Sequence, residues 1–271
     1  MGVSRTIAVN ARLMPLVGRH DYGVSLPLAN REVVLTFDDG PHPPHTNRVL
    51  KTLADECLRA TFFIVGHKAR ANPYVLRKVK AAGHTVGTHT QNHPLWRMRG
   101  PRIKAEIDGG IAAVRAALGS SGAVAPFFRF PGLFRTIEAE RYLRARGLMA
   151  WSIDVDSYDW KGIGSDALVR HTVGQLERRG GGILLMHDVN PTMARALPRL
   201  IAELKRRGFR IVHVVPSTRR NDVVADHASA RPLKKLAAAR PAVSRPIRIA
   251  RNNIRKRKSG SFAEIFQASA R

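Results

Sequence analysis

Two carboxylates, Asp38 and Asp39, stand side by side where the apolar run Val33, Val34, Leu35 gives out and Gly40 and Pro41 follow. Adjacent like charges at the end of a buried strand have two readings. One is a turn, since Asp-Gly-Pro is good turn chemistry. The other is a division of labour, with one carboxylate holding a metal ion and its neighbour moving a proton. Further along, His89 and His93 stand four residues apart in GTHTQNHP. Two neutral imidazoles at that spacing grip one cation where the backbone converges them. Pro94 disfavours helix at His93 and predicts a loop, so two solvated loop histidines are the alternative. Two His and one Asp leave a coordination position open for water. That is the pattern of a catalytic site, because structural sites are closed.

Such a set works only if a scaffold gathers it. Short apolar runs, EVVLTF, ATFFIVG, HTVGTH, VAPFFRF, LMAWSID, GILLMHD and FRIVHVV, read as seven strands between Glu32 and about Val215. Helical patterns separate them: NRVLKTLADECL, PYVLRKVKAAG, PRIKAEIDGGIAAVRAAL, IEAERYLRARG, SDALVRHTVGQLERRG and TMARALPRLIAELKRRG. Several of these end in Gly, a helix stop. Continuous apolar strands alternating with helices predict a parallel sheet covered on both faces, either barrel-like or doubly wound. In both architectures ligands bind at the carboxyl ends of the strands. The first strand ends at Asp38 and Asp39, the third at His89, the fourth at Arg129. Asp154 and Asp156 follow the fifth, and His187 and Asp188 end the sixth. The residues able to do chemistry therefore gather at one rim.

The rest of the chain bounds the function. Its 271 residues carry 46 Lys+Arg against 20 Asp+Glu, a formal charge of +26 that favours anionic partners. From residue 217 onward there are 14 Lys+Arg and 3 Asp+Glu, a net +11, in a stretch punctuated by Pro and poor in large apolar residues. This reads as a disordered or partly helical tail. The single cysteine, Cys57, excludes an intramolecular disulfide and a Cys-based metal site, and it reads as a small buried hydrophobe. No run reaches the length of a transmembrane helix. The N-terminal stretch is broken by Arg5, Asn10 and Arg12 and has no clean apolar signal region. The expectation is a cytoplasmic protein as the sequence stands, and a periplasmic or envelope-associated one if translation starts upstream.

Five motifs in order, TFDDGP, HTQNH, RFPG, DSYDW and LMH, resemble those of the polysaccharide deacetylase family, which contains the NodB homology domain of chitooligosaccharide deacetylases. The resemblance implies a distorted (β/α) barrel of about seven strands over residues 31–216, with residues 1–30 an N-terminal extension and 217–271 the basic tail. It implies metal-dependent removal of acetyl groups from an N-acetylated oligo- or polysaccharide, chitooligosaccharide or peptidoglycan-like. Asp39, His89 and His93 would hold one divalent ion, Zn²⁺ by default and otherwise Co²⁺, Ni²⁺ or Mn²⁺. Asp38 would be the general base, paired with Arg129. His187 would be the general acid, oriented by Asp156, with Asp188 the alternative partner and Asp159 a surface or capping residue. Pro131, Gly132, Trp160 and Leu185 would contact substrate. Gly132 departs from the family, which usually has an aromatic there, and Phe134 is placed to substitute. His42 and His45 are the remaining histidines able to reach substrate.

Three rival functions follow from the same residues. A nucleic-acid-binding protein would account for the charge, but no helix-turn-helix or RNP signature is present. A carbohydrate-binding pseudoenzyme would lack a ligand or the base, and none is missing. An amidase acting on a non-sugar substrate shares the metal chemistry. Beyond the sugar, the partners expected are anionic surfaces, membrane lipid or nucleic acid, reached by the basic tail. The sequence implies no specific protein partner.

Overall fold

Val33, Val34 and Leu35 lie in the central strand of the molecule. A computed structural model of the chain describes residues 2–217, 219 and 224–226. Its strands are β1 (Val3–Val9), β2 (Leu16–Val17), β3 (Glu32–Asp38), β4 (Thr61–Ile64), β5 (Thr85–Thr88), β6 (Phe127–Phe128), β7 (Met149–Trp151), β8 (Val155–Asp156), β9 (Gly181–His187), β10 (Arg210–Pro216) and β11 (Val224–Asp226). The helices are α1 (Arg19–Tyr22), α2 (His45–Asp55), α3 (Gly66–Ala71), α4 (Pro73–Ala81), α5 (Pro101–Leu118), α6 (Ile137–Ala145), α7 (Ser165–Arg179) and α8 (Pro191–Arg206).

Parallel pairing runs β8, β9, β3, β4, β5, β6, β7. This is a distorted barrel of seven strands. β7 and β8 are consecutive in the chain and share no ladder among the described residues; the outer edge of β7 pairs in parallel with β2 instead. β10 stands outside this run, and β8 takes the seventh place that the sequence pattern gave to β10. One edge of β3 is divided: β10 pairs with Glu32 and Val33, and β4 with Thr36, Phe37 and Asp38.

The period of two along β3 explains both the core and the site. Val33, Leu35 and Phe37 face the apolar cluster shared with α2, α4, α7 and α8. Val34 points the other way, into the cluster that holds Ile7, Phe63, Trp151 and Ile183. By the same alternation Thr36 and Asp38 follow Val34 on the inner face, so the interior becomes polar toward the carboxyl end.

Three expectations are corrected. Residues 1–30 are not a mere extension, because β1 pairs in parallel with β10 and buries Ile7 and Val9. Arg5, which appeared to break that run, is neutralised by Glu32 at 2.7 Å. Residues 217–271, read as tail, contribute β11, antiparallel to β1; the rest of that stretch, apart from Ser217 and Arg219, lies outside the described residues. Cys57 is exposed. It follows α2 with φ 54°, its amide bonded to Ala54 O at 3.0 Å, and this left-handed turn aims the thiol away from the core. Among the described residues no helix is long and apolar enough to cross a membrane.

Candidate active site

The rim at the carboxyl ends of β3, β5, β6 and β9 brings Asp38, Asp39, His89, His93, Arg129 and His187 together. Asp38 ends β3 and is the ladder partner of His187, which ends β9. Arg129 follows β6 and is fully buried. Its Nη1 donates to Asp38 Oδ1 and to Thr36 Oγ1, each at 2.8 Å, and its Nη2 donates to Ser152 O at 3.2 Å. The guanidinium also lies 4.3 Å from the centroid of the Phe63 ring. Burial pulls the Arg129 pKa down, and Asp38 opposes that pull. A charge in this position requires its carboxylate, because an unpaired buried guanidinium costs several kcal/mol.

Asp39, one residue on, has a different environment. Its backbone takes φ 75°, which turns its side chain away from its neighbour's. Oδ1 lies 2.9 Å from His93 Nε2 and 3.3 Å from His89 Nε2. Neither approach has hydrogen-bond geometry, and the oxygen is buried without a hydrogen-bond partner. His89 Nδ1 is 2.7 Å from Arg129 O. Donation to that carbonyl fixes the tautomer and leaves the Nε2 lone pair facing the carboxylate. His93 also has positive φ, 57°, as has Thr90, 66°, whose Oγ1 accepts from the His93 amide at 3.0 Å. Non-glycine residues held at such angles cluster at functional sites.

Two imidazole lone pairs and a carboxylate oxygen, mutually within 4.8 Å, with Asp39 and His89 buried and His93 half-buried, repel one another unless a cation stands among them. The donor set suits a divalent metal. Burial works to raise the Asp39 carboxyl, but where the imidazoles are protonated in place of a bound cation, His93, His89 and the more distant His187 outweigh it and hold it well below the usual carboxylate range.

His187 is held at two points by one side chain. Asp159 Oδ1 lies 2.7 Å from its Nδ1, and Asp159 Oδ2 accepts from its backbone N–H at 2.8 Å. Asp159, in the single turn Asp159–Lys161, is completely buried, and Asn190 Nδ2 clamps its carbonyl at 2.7 Å. Burial lowers the His187 pKa, but Asp159, with Asp39 and Asp38 behind it, raises it to about 10. The imidazole thus carries a proton through neutral pH.

This corrects the expected partner. Asp156 instead accepts from the Tyr158 amide at 2.8 Å and from Trp160 Nε1 at 3.1 Å, so it shapes the loop that presents Asp159. Tyr158 between them takes φ 57°, a reversal that a reading by spacing does not foresee. Asp188 turns the opposite way: its Oδ2 accepts from Thr46 Oγ1 at 2.5 Å, and it packs so closely behind Gly40 that a Cβ there would fall 2.2 Å from Oδ2. Asp154 receives the Ile183 amide at 2.9 Å, the Arg19 amide at 2.8 Å and the Ser25 hydroxyl, tying the N-terminal segment to the gap between β7 and β8.

Of the residues expected to contact substrate, Leu185 is buried opposite Asp156 in the ladder of β8 and β9. Trp160 is half-buried beside Tyr158, with ring centroids 6.0 Å apart. Pro131 is buried and Gly132 exposed. Gly132 takes φ 55°, and a Cβ on it would meet the Phe134 ring at 2.9 Å, so Phe134 folds back over the position where the aromatic was missing. His42 and His45 stack on one another with centroids 5.2 Å apart.

Fold and site define a class. Residues 26–151 match the family model described as polysaccharide deacetylase. A peptidoglycan-N-acetylglucosamine deacetylase of Bacillus cereus is 32% identical over 198 residues, 70% of this chain and 89% of the relative. A chitooligosaccharide deacetylase of Bradyrhizobium is 35% identical over 214 residues, 73% of this chain and 94% of the relative. A peptidoglycan deacetylase structure from Bdellovibrio bacteriovorus superposes with a TM-score of 0.70 at 29% identity, over 80% of this chain and 60% of that one. The chain belongs to the polysaccharide deacetylase family. It is an enzyme of that class, a hydrolase acting on N-acetylated carbohydrate, and Asp39, His89 and His93 form a set able to hold the divalent metal such deacetylases use.

Proposed function

We propose that the chain hydrolyses the N-acetyl groups of N-acetylglucosamine units in an oligo- or polysaccharide, with a divalent ion, Zn²⁺ by preference, held by Asp39, His89 and His93. The observation that carries this reading is the opposite treatment of two adjacent carboxylates. Asp38 is paired with a buried arginine at 2.8 Å, and Asp39 faces two imidazoles at 2.9 and 3.3 Å. Two N donors and one O donor suit Zn²⁺, and Co²⁺, Ni²⁺ and Mn²⁺ fit the same set. The bound cation supplies Lewis-acid polarisation of the acetamide carbonyl and acidifies an adjacent water.

The side chains do the rest. Arg129 occupies Oδ1 of Asp38, which leaves Oδ2, 3.8 Å from His89 Nε2, to take a proton from the attacking water. His187 delivers its proton to the sugar nitrogen as the C–N bond breaks, because that nitrogen does not leave as a bare anion. Asp159 keeps Nδ1 engaged, so the transferable proton is on Nε2. The products are acetate and a free amine on the sugar. The test is acetate release from a chitooligosaccharide by the full, metal-loaded chain, with metal analysis of the same preparation. Absence of acetate at stoichiometric metal overturns the reading.

Asp159→Asn tests the proton donor. The substitution removes the charge of Asp159, the largest influence that raises the His187 pKa above its ordinary 6.5, and leaves burial, which lowers it, opposed by Asp39, Asp38 and the hydrogen bond that the amide oxygen still accepts. The imidazole then loses its proton at a lower pH than in the wild type. The alkaline limb of the pH–rate profile moves to lower pH, and kcat at neutral pH falls by about 10²-fold, the lower end of general-acid effects. Bound metal is retained.

The net +11 from residue 217 onward supports a second, accessory role, adhesion to anionic lipid or nucleic acid. Such binding fades as salt rises. Truncation after Asp226, which keeps β11 and removes the same net +11, abolishes it in liposome sedimentation.

A further inference from the structure

The segments that follow two of the site motifs run together. Leu95, two residues after His93, lies 3.6 Å from where a side chain on Gly132 would begin. Past that contact the two segments, with Asp21, line an open cavity of about 520 Å³. Its wall is pinned. Met98 is buried with Phe128 and Phe130, Thr136 Oγ1 donates to Met98 O at 3.2 Å, and the Gly100 amide donates to Glu138 Oε1 at 3.2 Å. With Met98 turned inward, Arg97 and Arg99 on either side of it are exposed, and both line the cavity.

The charges there are unevenly engaged. Arg135 pairs with Glu140 at 3.0 Å and Asp21 at 3.4 Å. Asp21 also accepts from Ser152 Oγ at 2.5 Å, and Glu138 is occupied by the Gly100 amide. Arg97 and Arg99 make no ion pair or hydrogen bond among the described residues. Phe134 and Ile137 present exposed apolar faces on the same cavity.

Two guanidinium groups with no ion pair among the described residues, on a cavity whose carboxylates Asp21 and Glu138 are each held by other groups, beside apolar faces and on the segments that follow two of the site motifs, suit one kind of ligand. A guanidinium fork takes a carboxylate with two parallel hydrogen bonds, and an aromatic face takes the C–H face of a sugar ring. A neutral glycan offers these charges only uncharged acceptors, hydroxyl and acetamide oxygens. We infer that this cavity is a subsite for the carboxylate of an acidic N-acetylated glycan, held by Arg97 and Arg99 while a neighbouring sugar lies at the catalytic centre. The inference rests on the deacetylase reading and names its substrate class.

The test uses the full metal-loaded chain and two probes of equal length: a neutral chitotetraose and a tetrasaccharide of alternating N-acetylglucosamine and N-acetylmuramic acid, which carries carboxylates. Binding is read by calorimetry and turnover by acetate release, both across a salt series. The wild type is expected to favour the acidic probe by about tenfold at low salt, the scale of a charged hydrogen bond, with the preference fading as salt rises. R97A/R99A is expected to lose that preference, chiefly in KM and Kd, and R97K/R99K to keep part of it. An acidic-to-neutral ratio equal in the wild type and the alanine variant overturns the inference. So does a wild-type preference for the neutral probe at every salt. A wild type that releases acetate from neither probe overturns the deacetylase reading instead, and the calorimetric ratio then still decides the subsite.

Discussion

His89→Ala loses bound metal and acetate release together. The residue contributes more than one donor atom. Its Nδ1 is engaged with Arg129 O at 2.7 Å, so its Nε2 lone pair is aimed at the metal set before any ion arrives. Loss of such an outer partner alone costs about 10- to 100-fold in metal affinity, and loss of the ligand itself costs at least the upper figure. The deletion also leaves Arg129 O, a buried carbonyl, without its imidazole, at about 1–3 kcal/mol of stability. A drop in melting temperature is therefore expected. His93→Ala separates the two effects. His93 is less buried, with 16% of its side chain exposed, and it is bound to the loop through its backbone amide. It should lose metal with little loss of stability. Metal analysis by mass spectrometry after dialysis, beside thermal denaturation, checks both variants. Stoichiometric metal in the doubly substituted H89A/H93A protein overturns the assignment.

The parts of the site legible in the sequence are those fixed by strand ends. Apolar runs terminate at Asp38, before His89 and Arg129, and at His187, and the rule that ligands bind at the carboxyl ends of parallel strands gathers them without coordinates. The parts that were not legible depend on single backbone angles or on pairing across long separations. DSYDW offers two carboxylates three residues apart. Only the left-handed Tyr158 between them decides that Asp156 turns back into its own loop and Asp159 reaches His187. Similarly, β1 was hidden because Arg5 interrupts its apolar run, and the neutralising Glu32 lies 27 residues on. The two-residue strand β8 is too short to carry a period of its own, and it is identified only by its ladder to β9. Arg97 and Arg99 carry no motif at all. What makes them conspicuous is that Arg135 nearby is paired and that they pair with nothing among the described residues.

Asp38→Asn keeps the metal and loses about 10²–10⁴-fold in kcat, the range for a general base removed from its transition state. The amide retains an oxygen that accepts from Arg129 Nη1, so the buried guanidinium keeps a hydrogen-bond acceptor, and Asp154 and Asp156 still offset part of its charge. The fold should therefore persist, at a lower melting temperature, because the neutral amide no longer pairs with a buried cation. What it cannot do is accept a proton through Oδ2. Asp39→Asn gives the complementary result. It replaces a carboxylate facing two imidazoles with a neutral group, weakens metal binding, and leaves a deficit that added metal partly restores. The pair of variants, read by metal content and by kcat at saturating metal, separates the two roles. If Asp38→Asn loses the metal and regains activity when metal is added back, while Asp39→Asn keeps the metal and stays inactive, the roles of the two neighbours are reversed.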